Sequence, residues 1–309
     1  MAPRSRALVT GAGGFTGRHL VTHLRAVGFD VTALTHGAPT GSGEIQADLS
    51  DLDSLRRAIT AAQPHYVFHL AGIAFVAHAD AASFYQVNVI GTVNLLDALV
   101  ACSSAHVRKV VIASSANVYG NPAVEVVDES CPPAPVNHYA CSKLAMEHLA
   151  RTYQDRLAIV LARPFNYTGP GQDERFLIPK IVGHFARQAR AIELGNLDVT
   201  RDFSDVARVV SAYERLARSP TVQDDTVNLC SGTGTSLADV IDSMQRIAGY
   251  PIQVRVNPAF VRANEIKRLI GNPTRLVRLA GELPEPPFEL TLRRMYEAMR
   301  AAQVPPAAS

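Results

Sequence analysis

Two residues four positions apart, Tyr139 and Lys143, form the pattern in this chain that most directly suggests chemistry. Side chains at positions i and i+4 share one face of a helix, so the lysine ammonium would lie beside the tyrosine phenol. A neighbouring positive charge would lower the pKa of Tyr139 toward neutrality and make this residue a candidate proton donor. The spacing is also common in helices with an exposed lysine and a half-buried tyrosine, so a second feature is needed.

That second feature is a glycine-rich segment near the start of the chain. An apolar strand at residues 7–10 runs into the sequence GAGGFTG at residues 11–17, and an amphipathic helix begins there. Glycines let the backbone turn sharply and approach a pyrophosphate at a helix N-terminus. A plain strand-to-helix turn is the alternative, but with Tyr139 and Lys143 the segment predicts hydride chemistry. The predicted cofactor contacts here are Gly11, Gly14, Phe15, Thr16 and Gly17.

These residues need a scaffold, and the chain alternates short apolar strands with amphipathic helices. Strands are predicted at residues 7–10, 31–34, 66–70, 109–113 and 158–162, with helices at 16–26, 53–61 and 89–100 between them. This alternation predicts an α/β fold of the Rossmann type, with a doubly wound parallel sheet.

The regular alternation weakens after residue 164, where proline, glycine and asparagine become frequent. We therefore predict a smaller C-terminal α/β domain that binds substrate. The predicted division is residues 1–164 with 203–229 for the NAD(P)-binding domain, residues 165–202 with 230–304 for the substrate domain, and a disordered tail at 305–309.

Composition excludes several other classes of protein. The chain has 309 residues, 47% of them hydrophobic, and a net charge of +2 with 30 basic and 28 acidic residues interspersed. It lacks the clustered basic stripe of a nucleic-acid-binding protein. Four cysteines without C-x-x-C spacing, no signal-peptide pattern and no apolar run near membrane-spanning length predict a soluble, cytoplasmic protein. No set of residues has metal-ligand spacing, so no metal is expected.

The end of the second strand bears on the choice between NADPH and NADH. A carboxylate there would bond both ribose hydroxyls and repel a 2′-phosphate, but the chain has Thr35 and His36. The missing carboxylate tolerates NADPH, although no arginine stands beside it, so NADPH is preferred and NADH stays open. Asp48, followed by Leu49, could bond the adenine amino group or could be the N-terminal residue of a helix. Asn88 could contact the cofactor or be a buried structural amide.

With Val118-Tyr119-Gly120 following an apolar strand, these motifs in this order resemble the extended short-chain dehydrogenase/reductases, the nucleotide-sugar epimerase/dehydratase superfamily. The resemblance covers nearly the whole chain. It implies that Ser115, rather than Ser114, bonds a sugar carbonyl or hydroxyl, that Tyr139 transfers a proton, and that Lys143 bonds the nicotinamide ribose. The cofactor contacts that the resemblance adds are Leu70, Ala71, Gly72 and Pro164.

Departures from subfamily patterns narrow the implied reaction. The related 4,6-dehydratases carry a carboxylate one or two positions after the triad residue, whereas this chain has Ala116 and Asn117 there. GDP-fucose synthase-like epimerase-reductases place a cysteine at position 116 to abstract a proton from carbon. A 4-ketoreductase or a 4-epimerase remains, because each needs only the triad and the nicotinamide.

The second half of the chain resembles the GDP-6-deoxy-D-mannose reductases of this superfamily, at residues 162–172, 194–203, 227–232 and 269–272. The resemblance implies that Asn166 bonds the phosphates or the sugar of a GDP-sugar. Arg201 is the first candidate for the diphosphate, because a guanidinium fork suits phosphate oxygens. A structural salt bridge to Asp202 or Asp205 is the alternative for Arg201.

Three further substrate contacts are predicted with alternatives. Arg262 matches a family arginine but has basic neighbours, so it could belong to a basic surface. Glu265 could bond the ribose or base, or pair with one of those cations. Lys180 sits where the domain would close on the nucleotide, or is an exposed helix lysine.

The resemblance implies reduction of GDP-4-keto-6-deoxy-D-mannose to GDP-D-rhamnose with NADPH or NADH. The alternatives are a 4-epimerase that retains its NAD, reduction to the opposite C4 alcohol, GDP-6-deoxy-D-talose, and a non-catalytic protein on the same fold. Helices at 89–100 and 139–153 match the elements through which extended members dimerise, so a homodimer is expected. No nucleic acid or membrane partner is expected.

Overall fold

The computed structural model describes residues 4–74, 80–103, 105–260 and 266–303 of the chain. Arg262, Glu265 and the predicted tail at 305–309 lie outside the described residues. The described strands, numbered in chain order, are β1 (Arg6–Thr10), β2 (Asp30–Thr35), β3 (Glu44–Gln46), β4 (Tyr66–His69), β5 (Lys109–Ala113), β6 (Ile159–Pro164), β7 (Asn166–Thr168), β8 (Ala191–Leu194), β9 (Thr200–Asp205), β10 (Thr226–Leu229), β11 (Gly234–Ser236), β12 (Gln253–Val256) and β13 (Arg268–Leu269).

The described residues also form ten α-helices, labelled here in chain order. They are α1 (Phe15–Ala26), α2 (Leu52–Ala62), α3 (Ala81–Tyr85), α4 (Gly91–Ser103), α5 (His138–Arg151), α6 (Leu177–Ala186), α7 (Val206–Arg218), α8 (Leu237–Ala248), α9 (Thr274–Ala280) and α10 (Phe288–Gln303).

Seven strands form one parallel sheet in the order β10-β6-β5-β4-β1-β2-β3. The chain proceeds from β1 outward to β3 and then crosses back to β4, so the winding direction reverses between β1 and β4. Ligands of doubly wound folds bind outside the carboxyl ends of the strands at such a reversal. The predicted Rossmann-type fold is confirmed, and the glycine segment after β1 lies at the reversal.

Helices cover both faces of this sheet. One hydrophobic cluster joins α1 and α7 to one face, and a second joins α2, α4 and α5 to the other. The central strands are apolar along their length because both of their faces are buried. Polar side chains fix several helix starts: Asp51 accepts hydrogen bonds at the start of α2, Asn137 at α5 and Asp205 at α7.

The helix predicted at residues 89–100 is longer than expected. A π-helical turn at Gln86–Ile90 joins α3 to α4, which gives a continuous helical run over Ala81–Cys102 that is apolar and long enough to cross a membrane. The prediction that no apolar run approaches this length is therefore wrong. Half of the run is buried inside the protein, and the side chains of Leu95, Leu96 and Leu99 are fully buried between α2, α5 and the sheet. These contacts are those of a core helix.

Apart from β10, the strands after β6 form smaller sheets beside the large one. The strands β11, β9 and β13 pair in that order with β7 also on β9, and β12 pairs with β8. The helices α6, α8 and α10 enclose a separate apolar cluster that includes Phe185, Met244, Leu292 and Met295. The chain returns from β9 directly into α7, whose first turn is capped by Asp205, the last residue of β9.

Candidate active site

A cavity of about 730 Å³ opens at the carboxyl ends of the central strands. The glycine segment, the end of β5, the first turns of α5 and the chain from β6 to α6 enclose it. The predicted site residues that line it are Gly11, Gly14, Phe15, Thr16, Gly17, Leu70, Gly72, Ser115, Tyr139, Lys143, Pro164 and Asn166.

The glycine segment is shaped by close backbone contacts. Gly11 has a φ of +67°, and a Cβ there would lie 2.7 Å from the Ala71 nitrogen. A Cβ on Gly17 would lie 2.6 Å from the Ala12 Cα and would also strike the Gly11 carbonyl oxygen. Gly14 caps α1 without a side-chain hydrogen bond, so the N–H groups of the first helical turn are left to bind an anion. The segment is built to hold the pyrophosphate of a dinucleotide.

Tyr139 stands at the start of α5 with 7% of its surface exposed. Burial raises the pKa of its phenol to about 12, although a hydrogen bond with Ser115 acts in the opposite direction. The expectation that the phenol pKa falls toward neutrality is therefore wrong for this structure, because desolvation outweighs the hydrogen bond with Ser115. The phenol carries its proton at neutral pH, which is the form that a proton donor needs.

Lys143 lies one helical turn after Tyr139 and is also buried. Its Nζ donates a hydrogen bond of 2.9 Å to the Ala113 carbonyl oxygen at the end of β5. Burial lowers the pKa of this ammonium to about 8, while the negative charge of Glu147 raises it. A Cβ on Gly72 would lie 3.2 Å from the Lys143 Nζ, so glycine at position 72 keeps the space beside the ammonium open.

The two serines after β5 have different surroundings. The Ser114 hydroxyl donates a 2.6 Å hydrogen bond to the buried Glu147 carboxylate. The Ser115 hydroxyl accepts from the Asn117 backbone N–H at 3.1 Å and caps a short 3₁₀ turn at Ala116–Tyr119. Burial raises the pKa of the Tyr139 phenol and a hydrogen bond from Ser115 acts to lower it, whereas Ser114 is bonded to Glu147 instead. Both serines line the cavity.

Sequence reasoning missed residues that join α1 to β7 and to the chain that follows β7. The Tyr167 hydroxyl lies 2.7 Å from the Thr16 Oγ1, and its ring stacks on Phe15. Arg18 donates to the Gly13 carbonyl oxygen at 2.6 Å and to the Gly171 carbonyl oxygen at 3.2 Å. Arg18 and Tyr167 both line the cavity. An arginine in the first turns after a glycine segment is the signal that could have found Arg18.

Several predicted cofactor residues lie near the cavity without lining it. The buried Asn88 amide accepts from the Ile73 N–H at 2.9 Å and donates to Ser142, as a structural amide would. Asp48 accepts hydrogen bonds from Ser50, and its carboxylate is 3.6 Å from the His36 ring. The predicted cofactor residues outside the cavity lining are Thr35, His36, Asp48, Leu49, Ala71 and Asn88.

Two predicted substrate residues, Arg201 and Lys180, also lie outside the lining. Arg201 donates to the backbone carbonyl oxygens of Thr200 and Lys267 at 3.0 and 3.1 Å. Lys180 donates to the Glu193 carbonyl oxygen at 2.8 Å, with its Nζ 4.3 Å from the centre of the Phe260 ring.

The carboxylates considered as salt-bridge partners of Arg201 have other hydrogen bonds. Asp202 accepts from Ser231, Gly232 and Gly271, and Asp205 caps α7. Over the residues that the structure describes, no group of three His, Cys, Asp or Glu side chains could hold a metal ion.

Comparison with known proteins shows which family this chain belongs to. The profile of the NAD dependent epimerase/dehydratase family matches residues 7–230. This chain belongs to that family. The match spans the glycine segment, Ser115, Tyr139 and Lys143, and it confirms the predicted family and a nicotinamide dinucleotide as the cofactor.

Two relatives and one solved structure are similar to this chain over most of its length. GDP-6-deoxy-D-talose 4-dehydrogenase from Aggregatibacter actinomycetemcomitans is 36% identical over 89% of this chain and 91% of its own. GDP-6-deoxy-D-mannose reductase from Pseudomonas aeruginosa is 35% identical over 93% of this chain and 95% of its own. The solved structure of RMD from Pseudomonas aeruginosa complexed with NADPH superposes with a TM-score of 0.85 at 32% identity, covering 96% of this chain and all of that one.

Proposed function

We propose that this protein is a nucleotide-sugar 4-ketoreductase that reduces GDP-4-keto-6-deoxy-D-mannose to GDP-D-rhamnose with NADPH or NADH. The observation that carries the proposal is the cavity itself, where Ser115, Tyr139 and Lys143 meet the glycine segment. Ala116 and Asn117 supply no carboxylate or thiol next to the triad serine. The triad therefore has the groups for ketone reduction, and the two residues directly after Ser115 supply no additional acid or base of the dehydratase kind.

The mechanism follows from the protonation states of the triad. The glycine segment and the cavity beside it would hold a reduced nicotinamide dinucleotide, which when bound would supply the hydride for the C4 carbonyl carbon. The Ser115 hydroxyl hydrogen-bonds the carbonyl oxygen and orients it toward Tyr139. With a pKa of about 12, the Tyr139 phenol donates its proton to the developing alkoxide as a general acid. Lys143, still an ammonium below its pKa of about 8, stabilises the phenolate left behind.

NADPH is the proposed cofactor, with NADH as the alternative. The strand β2 ends at Thr35 and is followed by His36, and neither side chain would repel a 2′-phosphate. The NADPH complex of the Pseudomonas aeruginosa protein supports this choice. The adenosine contacts proposed at this end are Thr35, His36, Asp48 and Leu49.

The substrate contacts are proposed as Ser115, Asn166, Lys180, Arg201, Arg262 and Glu265. Asn166 borders the cavity directly. Arg201 and Lys180 are now bonded to backbone carbonyl oxygens, so contact with a diphosphate would require them to exchange those partners. A homodimer through α4 and α5 remains part of the proposal, and so does the division of the chain into cofactor and substrate domains.

A turnover experiment with the proposed substrate tests this proposal. Purified protein is offered GDP-4-keto-6-deoxy-D-mannose with NADPH and then with NADH, and the absorbance of the reduced nicotinamide is followed. Stoichiometric oxidation with a rhamno product, identified by NMR, is the expected result. Failure to oxidise either cofactor would contradict a ketoreductase acting on this sugar.

Reduction to the opposite C4 alcohol, GDP-6-deoxy-D-talose, is the second candidate reaction, and one relative supports it. GDP-6-deoxy-D-talose 4-dehydrogenase is among the relatives and acts by its name on the opposite C4 alcohol. A talo product in the same NMR experiment would keep the hydride and proton transfers but reverse the face of attack. A 4-epimerase would instead interconvert the C4 alcohols with no net consumption of reduced cofactor.

A further inference from the structure

A buried polar network lies directly beneath the triad and is centred on Glu147, one helical turn after Lys143 on α5. Glu147 has no exposed surface, and its carboxylate accepts hydrogen bonds from Arg163 Nε at 2.8 Å, Arg163 Nη2 at 2.6 Å and Ser114 Oγ at 2.6 Å. Arg163 in turn donates to the Tyr119 hydroxyl at 2.9 Å and lies 4.8 Å from the centre of its ring. Glu147 is thereby held in one position.

The network joins the elements that carry the site. Ser114 immediately precedes Ser115 at the end of β5, and Arg163 immediately precedes Pro164 at the end of β6. Glu147 shares α5 with Tyr139 and Lys143. A displacement of the carboxylate would therefore move residues next to three sides of the cavity.

The Lys143 ammonium is buried, and its Nζ donates a hydrogen bond to the Ala113 carbonyl oxygen. Desolvation favours loss of its proton, and a fixed carboxylate opposes that loss. We infer that Glu147 is a positioning residue of the reaction, which keeps Lys143 charged and seated against the Ala113 carbonyl oxygen beside Tyr139. This inference rests on the proposed function, in which charged Lys143 supports proton donation by Tyr139.

Other ionisable groups around Lys143 and Glu147 set the direction of the test. Tyr139 on α5 stays protonated and therefore uncharged. Burial lowers the pKa of His69 on β4 to about 3, so its imidazole is also uncharged at neutral pH. Arg163 on β6 and Arg151 on α5 both pair with Glu147, at 2.6 and 3.4 Å. Although burial opposes ionisation of Glu147, the hydrogen bonds and charge of Arg163 lower the pKa of its carboxyl group. Glu147 is thus a carboxylate at neutral pH.

The test is the pH profile of kcat in Glu147→Gln, which keeps the shape of the side chain and removes its charge. In this variant kcat should fall on the basic side at a pH about half a unit to one unit lower than in the wild type. The shift is this small because the positive charge of Arg163 partly cancels the effect of Glu147 on Lys143, one helical turn away. Glu147→Asp restores the charge and should return the basic limb toward its original pH. Glu214→Gln is the matched control, since it removes a carboxylate paired with Arg218 on α7, and its profile should be unchanged.

A variant of opposite sign keeps the inference testable if Glu147→Gln does not fold. Arg151 is partly exposed, and Arg151→Gln removes a cation that pairs with Glu147. The basic limb should then move to higher pH. A basic limb that stays in place in Glu147→Gln, or in Arg151→Gln when only that variant folds, overturns the inference.

A binding experiment separates this inference from the proposed function. The affinity for NADPH is measured against pH by nicotinamide fluorescence in the same variants, without any sugar. If the wild type binds NADPH but reduces no keto sugar, the proposed function fails while the binding profiles still test Glu147. A profile of Glu147→Gln shifted to lower pH supports the inference, and one that coincides with the wild type refutes it.

Discussion

Replacing Lys143, the proposed catalytic lysine, with methionine should make the cofactor-free protein more stable and inactive. The pKa of Lys143 is lowered from 10.5 to about 8 by burial. The difference of about 2.5 pH units corresponds to about 3 kcal/mol, at 1.36 kcal/mol per unit, by which the buried ammonium destabilises the fold at pH 7. Lys143→Met removes this cost but leaves the Ala113 carbonyl oxygen without its hydrogen bond, at a cost of about 1 kcal/mol. The net expected gain is about 2 kcal/mol.

The pH dependence tests the cause of this gain. Because the folded-state pKa lies below the unfolded-state pKa, the destabilisation is fully present below about pH 8 and disappears as the pH rises through 10.5. Urea denaturation of wild type and Lys143→Met at neutral pH and above pH 10 measures the difference in free energy of unfolding. The advantage of the variant should shrink at the higher pH. Equal or lower stability of Lys143→Met at neutral pH would refute the reasoning.

Lys109 offers a matched control for this experiment. It is also buried, and its Nζ donates to the Ser219 and Val222 carbonyl oxygens beneath the sheet. Lys109→Met would leave two carbonyl oxygens unpaired, so it should lower stability. Activity should be retained, because Lys109 lies outside the cavity lining.

Three further predictions concern activity, cofactor binding and stability. Tyr139→Phe should lower kcat by about a hundredfold to ten-thousandfold with little change in the cofactor Kd, measured by steady-state kinetics and fluorescence titration; unchanged activity would contradict the mechanism. Gly17→Ala should weaken cofactor binding by about fivefold to a hundredfold, because the new Cβ would strike the glycine segment. A Cβ at position 13 would meet no heavy atom within 4 Å, so Gly13→Ala should bind the cofactor normally. Equal affinities in the two variants would argue against this account of the segment. Arg163→Met should cost about 3–5 kcal/mol in denaturation because a buried carboxylate loses its partner, and Arg187→Met, at an exposed ion pair, about 0–1 kcal/mol. Similar losses would show that burial does not set the cost.

Elements with strong periodicity were predictable almost to the residue. The strands predicted at 7–10 and 109–113 and the helix at 16–26 match β1, β5 and α1 to within one residue. The helix at 89–100 was predicted too short, because the π-helical turn at Gln86–Ile90 shifts the apolar face and interrupts the 3.6-residue pattern. The strands β7, β8, β9, β11, β12 and β13 were missed because their pairing depends on distant parts of the chain.

Proximity within the site was predictable from topology, since parallel strands bring their carboxyl ends to one edge of the sheet. Ser115, Tyr139 and Lys143 were therefore placed near the glycine segment from sequence alone. The direction of the Tyr139 pKa shift could not be predicted, because helical spacing gives the neighbour of a residue but not its burial. The same limit hid Glu147, whose role depends on partners from β5 and β6.

The protonation states of the triad match the starting state of the reduction that we propose. An epimerase must first oxidise a C4 alcohol, so its tyrosine begins the cycle by accepting a proton. A ketoreductase begins with a proton on the phenol and needs a group that stabilises the phenolate only after transfer. Burial raises the pKa of Tyr139 to about 12 and leaves Lys143 charged below about pH 8, which is the starting state of the reductive direction. The buried Glu147 extends that state to higher pH by opposing the loss of the Lys143 proton.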